Sequence, residues 1–200
     1  MKALILVDIQ NDFLPGGALA VPDGDAVIHV ANRLMRDGRF DLIVASQDWH
    51  PADHRSFARA HPGKNPGDLI QLASLPQILW PDHCVQNTPG ADLAPTLDHA
   101  PIQYIVKKGT DPKIDSYSAF FDNGHRKSTG LADVLKSHHI THLDILGLAT
   151  DYCVKATALD ARQLGFHVTL IREGIRGVEL HPGDCQAAIA AMQAAGVQIN

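Results

Sequence analysis

Short apolar runs and stretches of helical spacing alternate along the chain. Residues 3–7, 42–46, 102–106, 143–148 and 168–171 are apolar, mostly rich in branched side chains, and read as strands buried on both faces. Residues 25–37, 130–138, 151–164 and 182–195 carry helical periodicity; in the first of these Val27, Ile28, Ala31, Leu34 and Met35 gather on one side. Gly38 and Gly165 follow two of these segments as C-cap glycines, and Asp151 stands where an N-cap belongs. Strand alternating with helix predicts an α/β fold, with residues 1–200 forming one doubly wound domain around a mainly parallel sheet with helices on both faces.

Residues 48–101 break the alternation. They hold much of the chain's proline, both tryptophans (Trp49 and Trp80) and many histidines, with little periodicity beyond a short helix or edge segment expected over 72–79. A loop region this long inside a compact domain is either functional or disordered, and its tryptophans and histidines argue against disorder.

Composition narrows the field of activities. The 200 residues are 45% hydrophobic, enough for one sizeable core, and the net charge of -5 comes with no sustained basic run. That argues against nucleic acid and acidic membranes as partners. The apolar N-terminus is interrupted at Asp8, too short for a secretion signal, and no run approaches transmembrane length. Three cysteines, 84, 153 and 185, make no disulfide framework, so a reducing cytoplasmic setting is expected.

In open α/β sheets ligands bind beyond the carboxyl ends of the strands, which directs attention to Asp8, Asp48 with His50, Lys107 and Lys108, and the turn holding Cys153. Cys153 lies where a buried strand hands over to a helix, a place at which main-chain N–H groups favour a thiolate. Asp8, ending a strand expected in the sheet centre, would have its pKa raised by burial towards that of a general base, and Lys108 would hold both groups in place. The competing reading makes Cys153 a small buried hydrophobe, Asp8 a turn residue and Lys108 a solvated cation.

Asp48-Trp49-His50 projects a carboxylate and an imidazole from one side of an extended segment. His54 follows as a further candidate ligand, and His83 arrives in Trp80-Pro-Asp-His83-Cys84. A mixed Asp/His set suits Zn, Fe or Mn, although twelve histidines will also fall near aspartates by chance.

Taken together, these residues make the chain resemble the nicotinamidases, the pyrazinamidase-type amidases of the isochorismatase-like cysteine hydrolases. The matching segments are Val7-Asp8-Ile-Gln-Asn-Asp12-Phe13 with Gly16-Gly17, Asp48-Trp-His50-Pro, Trp80-Pro-Asp-His83-Cys84-Val, Lys108-Gly109 with Asp115-Ser-Tyr117-Ser118-Ala-Phe120, and Gly147-Leu-Ala-Thr-Asp-Tyr-Cys153-Val. They run in order along almost the whole chain. The Asp, Lys and Cys elements indicate the superfamily; Asp-x-His with the later Trp-Pro-x-His-Cys resembles nicotinamidases in particular.

The resemblance implies a Rossmann-like, isochorismatase-like fold and hydrolysis of nicotinamide to nicotinate and ammonia in NAD salvage, with pyrazinamide as a further substrate. Cys153 would be the nucleophile, Asp8 the general base and acid, and Lys108 the electrostatic partner of both. Asp48, His50 and His83 would bind one divalent metal ion, zinc foremost, with iron or manganese as alternatives. Phe13, Trp80 and Tyr117 would line the ring pocket, Ala149 and Cys153 would form the oxyanion hole, and Leu148–Ala149 would be a cis peptide. The partner implied is the small substrate, with the chain a monomer or homodimer. Two rivals stand beside this: a metal-independent relative acting on isochorismate, a carbamoyl or a ureido compound, and a non-catalytic module that binds a partner or senses oxidants through its thiol.

Overall fold

A computed structural model describes residues 1–200. Six strands form the main sheet: β1 (Lys2–Val7), β2 (Leu42–Asp48), β5 (Tyr104–Lys108), β6 (His142–Leu148), β7 (His167–Arg176) and β8 (Gln198–Ile199). Their order across the sheet is β5-β2-β1-β6-β7-β8, and every pairing is parallel. β1 is therefore interior, with β2 and β6 on its flanks. Its alternate residues serve opposite faces. Ala3, Ile5 and Val7 join a core of 24 residues with α2 (Leu131–Ser137), α3 (Lys155–Gln163) and α4 (Asp184–Ala194). Leu4 and Leu6 join a second core of 22 residues beneath α1 (Ala26–Arg36) and the segment carrying Leu93 and Leu97. Burial on both faces is why these strands read as continuous apolar runs rather than alternating ones.

The expected strands and helices are all present, with shifted edges. The strand expected over 102–106 begins two residues later, at Tyr104, and the one expected over 168–171 extends to Arg176. Its length comes with a register shift between Ile145 and Gly147, which carries β7 past the end of its first pairing with β6. Gly38 and Gly165 do follow helices at positive φ, as C-cap glycines should.

Two expectations change. The segment over 72–79 is neither a helix nor an edge of the main sheet; Leu69–Leu72 (β3) and Leu75–Ile78 (β4) form a separate antiparallel hairpin. The tight turn at Ala73 and Ser74, both at positive φ, carried none of the usual Gly or Asn signals. Asp151 is not an N-cap. The helix begins with a single π turn, Thr150–Val154, and the buried Asp151 carboxylate instead accepts the N–H groups of Val178 (3.0 Å) and Glu179 (2.8 Å), tying the chain beyond β7 to this turn. No helix is long and apolar enough to cross a membrane.

Candidate active site

The ends of β1, β2, β5 and β6 converge on one buried cluster. Lys108, the last residue of β5, is buried with its Nζ 2.9 Å from Asp8 Oδ2, 2.8 Å from the Ser116 carbonyl and 3.4 Å from Cys153 Sγ. It also makes a close ion pair with Asp48 Oδ1. Alternation along β5 turns its neighbour Lys107 the other way, over the Trp49 ring at 3.4 Å.

Two carboxylates around one ammonium are driven apart in pKa. Burial would raise Asp48, yet Lys108 and His50 outweigh it and hold the carboxyl well below the usual range. For Asp8 burial prevails over the attraction of Lys108, and its pKa is raised. Burial also opposes a charge on Lys108, but Asp48 and Asp8 reverse this and keep the ammonium protonated, well above an ordinary lysine. Asp8 Oδ1 accepts the Ser46 hydroxyl at 2.6 Å, while its Oδ2 has no aligned hydrogen bond and so stands ready to take a proton.

Cys153 lies in the π turn after the cis Leu148–Ala149 peptide, within 4.8 Å of the Asp8 and Asp48 carboxylates. The thiolate expected from the head of a helix is not what the site favours at rest. Burial pushes the thiol well above its usual pKa; Lys108 opposes this, and the two carboxylates add to it. A buried protonated thiol beside a carboxylate of raised pKa is a pair suited to concerted proton transfer rather than a standing thiolate.

Asp48 faces a second group as well. Its Oδ2 lies 3.7 Å from Nε2 of both His50 and His83, and the three are buried with their ligand atoms within 4.8 Å of one another. His50 Nδ1 donates to the Gly109 carbonyl at 2.9 Å and His83 Nδ1 donates to the Pro81 carbonyl at 2.8 Å. A carbonyl only accepts, so both rings present the Nε2 lone pair to the shared space. The buried His50 Nε2 has no hydrogen-bond partner in the protein. Burial works against a charge on His50, but Asp48 and Asp115 outweigh it, and the affinity for a proton that results is an affinity for any cation. The donor set and its orphaned nitrogen fit a divalent metal ion of the zinc type.

His54 is arranged differently. Its Nδ1 accepts the Ser56 N–H at 3.2 Å and meets the Ser56 hydroxyl at 2.7 Å, which leaves the ring proton on Nε2, and its nearest titratable neighbours are His50 and Asp115. Burial lowers its pKa to about 4, Asp115 opposing, so the ring is neutral above that.

Beside these groups opens a narrow pocket whose walls include Phe13, Trp80, Tyr117 and Tyr152, with Asp48, His83, Ala149 and Cys153 at its polar end. Of the expected site residues, Phe13, Asp48, Trp80, His83, Tyr117, Ala149 and Cys153 line this pocket; Asp8, Lys108 and His50 lie behind it, against Asp48, Cys153 or one another, and His54 lies beyond, beside His50 and Asp115. Sequence reasoning missed several supports. Buried Gln10 clamps the main chain of Asp48, its Oε1 accepting the Asp48 N–H and its Nε2 donating to the Asp48 carbonyl, both at 2.8 Å. Ser46 orders Asp8, and Asp115 lies 3.9 Å from His50 Nε2. A polar residue after the apolar run of β2 was the available signal for Ser46; Gln10 lies beyond β1 and carried none.

The family model described as the isochorismatase domain matches residues 2–199. The chain belongs to the isochorismatase-domain family. Within that family it is similar to the nicotinamidase of Escherichia coli, with 54% identity over 99% of this chain and 93% of that one. A structure of a nicotinamidase and pyrazinamidase of Acinetobacter baumanii superposes with a TM-score of 0.95 at 44% identity, covering 99% of this chain and 94% of that one. A pyrazinamidase of Pyrococcus horikoshii, solved in complex with zinc, superposes with a TM-score of 0.80 at 40% identity over 100% and 98% of the two chains. As a member of this family, the chain pairs the sheet-edge cysteine with an Asp/His set that the Asp, Lys and Cys elements do not by themselves demand.

Proposed function

We infer that this isochorismatase-domain protein is a nicotinamidase, hydrolysing nicotinamide to nicotinate and ammonia in NAD salvage, with pyrazinamide as a second substrate. The observation that carries the reading is the double engagement of Asp48, one oxygen on Lys108 and the other toward His50 and His83, which joins a nucleophile and a metal-type donor set across one aromatic pocket. Likeness to nicotinamidases over nearly the full chain supports it.

In the proposed reaction Asp8 takes the Cys153 proton as sulfur attacks the carboxamide carbon. The main-chain N–H groups of Ala149 and Cys153 receive the developing oxyanion, each worth about 3 kcal/mol when well aimed. Asp8 then returns the proton to the departing ammonia, leaving a thioester on Cys153. It next takes a proton from water, whose oxygen attacks the thioester, and nicotinate leaves as the thiol is restored. Lys108 remains protonated throughout and holds both carboxylates and the sulfur in register.

Asp48, His50 and His83 would hold one metal ion, with zinc favoured by the mixed Asp/His donors and by the zinc complex of the Pyrococcus relative. When bound, the ion supplies a Lewis-acidic anchor for the pyridine nitrogen, orienting the ring rather than activating the amide. Phe13, Trp80 and Tyr117 wall the ring, and His54 is assigned as a neutral neighbour of the set. The substrate is the partner the site calls for, and a reducing cytoplasm suits its free thiol.

Ammonia release from nicotinamide tests this, run on protein as purified, stripped by chelator and reconstituted with zinc. Turnover should fall on stripping and return with zinc. Full activity in stripped protein would remove the anchoring role, and no turnover by zinc-replete protein would point to an isochorismatase-type hydrolase of another substrate.

A further inference from the structure

The hairpin β3–β4 stands outside the main sheet and is mostly exposed, yet Gln77 in β4 is buried between half-buried or exposed neighbours. Burying a primary amide is costly unless its hydrogens are engaged. Here Nε2 lies 2.7 Å from the Ile78 carbonyl, 3.1 Å from Asp115 Oδ2 and 3.0 Å from the Tyr117 hydroxyl oxygen.

Both side-chain partners face the pocket. Tyr117 also accepts the Trp80 indole N–H at 3.2 Å, so the amide fixes the two aromatic walls as one unit. Asp115 uses its other oxygen to accept the Ser116 N–H at 2.7 Å and lies 3.9 Å from His50 Nε2, while the Ser116 carbonyl accepts from Lys108 at 2.8 Å. Without Gln77, Asp115 would lose a buried donor and turn toward the nearest cations, and Tyr117 would lose the bond that sets its ring.

We propose that Gln77 is a positioning residue whose single amide orients Asp115 beside the Asp48/His50/His83 donor set and Tyr117 beside Trp80, so that the hairpin governs both metal retention and ring docking. The proposal rests on the nicotinamidase reading above. It places Gln77 away from the reacting atoms: substrate affinity should respond to it, and the chemical step should not.

The test uses Gln77→Met, which keeps the volume and removes the donors. Zinc affinity is read on metal-free protein by competition with a chromophoric chelator, and KM and kcat for nicotinamide on zinc-reconstituted enzyme. Zinc affinity should weaken about 10-fold, the lower end for loss of an outer-shell partner. KM should rise about 10-fold, with kcat within about twofold of wild type. A folded variant in which either the zinc affinity or KM is unchanged, or in which kcat falls at constant KM, overturns the proposal. Should Gln77→Met lack a cooperative melt, Gln77→Asn, which keeps an amide too short to reach both partners, takes its place with the same expectations. If wild-type protein releases no ammonia, the nicotinamidase reading fails, and the zinc comparison still decides the role of Gln77.

Discussion

Lys108 shows how one residue's value depends on what surrounds it. An exposed lysine contributes little through its ion pairs, but this one neutralises two buried carboxylates and touches the Cys153 sulfur. Lys108→Met should destabilise the protein by about 3–5 kcal/mol, because it leaves buried negative charge without a partner. Denaturant unfolding checks this, and a loss below about 1 kcal/mol would mean that water reaches the site and screens the pair. The sequence made Lys108 legible as a partner of Asp8 and Cys153, through its place before Gly109. It did not show that Asp48, read only as a metal ligand, shares the same ammonium. Contacts across 60 residues depend on strand order, and nothing local in Asp48-Trp-His encodes it.

The elements matter through what they let approach. Gly109 follows β5 at φ +65, and a Cβ there would lie 2.6 Å from His50 Nδ1, the atom whose bond to the Gly109 carbonyl fixes the ring. Gly109→Ala should therefore displace His50 and weaken zinc binding by about 10-fold or more, measured by chelator competition. The same substitution with zinc affinity unchanged would show that the ring relaxes freely. Strands and helices were readable at this scale because burial on both faces writes continuous apolar runs, and helix C-caps demand glycine at positive φ. The hairpin was not, because Leu69–Leu72 and Leu75–Ile78 bury little and turn through Ala73 and Ser74. Asp151 misled for a related reason. It lies inside the first turn, two residues past the Ala149 cap, and its carboxylate accepts from a distant segment instead.

At the scale of the whole molecule, the two cores hold the sheet without reference to the metal site, so metal-free protein should remain folded. Its stability should respond to acid through the buried His54. The folded pKa is lowered to about 4 while the unfolded value stays ordinary, so the unfolded chain binds a proton the native state refuses. The contribution is intact above the unfolded pKa and is lost as pH falls from there toward 4, by up to about 1.4 kcal/mol per pH unit for one group. Urea midpoints of metal-free protein should drop over that interval, and less steeply in His54→Gln. Equal slopes in both would assign the loss to other groups.

Nicotinamide hydrolysis by this route requires Cys153 as nucleophile, joined to the Asp48 set. The most direct measurement is the rate of ammonia release from nicotinamide by zinc-reconstituted Cys153→Ala, at a metal content matched to wild type. Covalent catalysis predicts a fall of at least about a thousandfold, since removal of a nucleophile leaves only binding and oxyanion contributions. Turnover near the wild-type rate would contradict it.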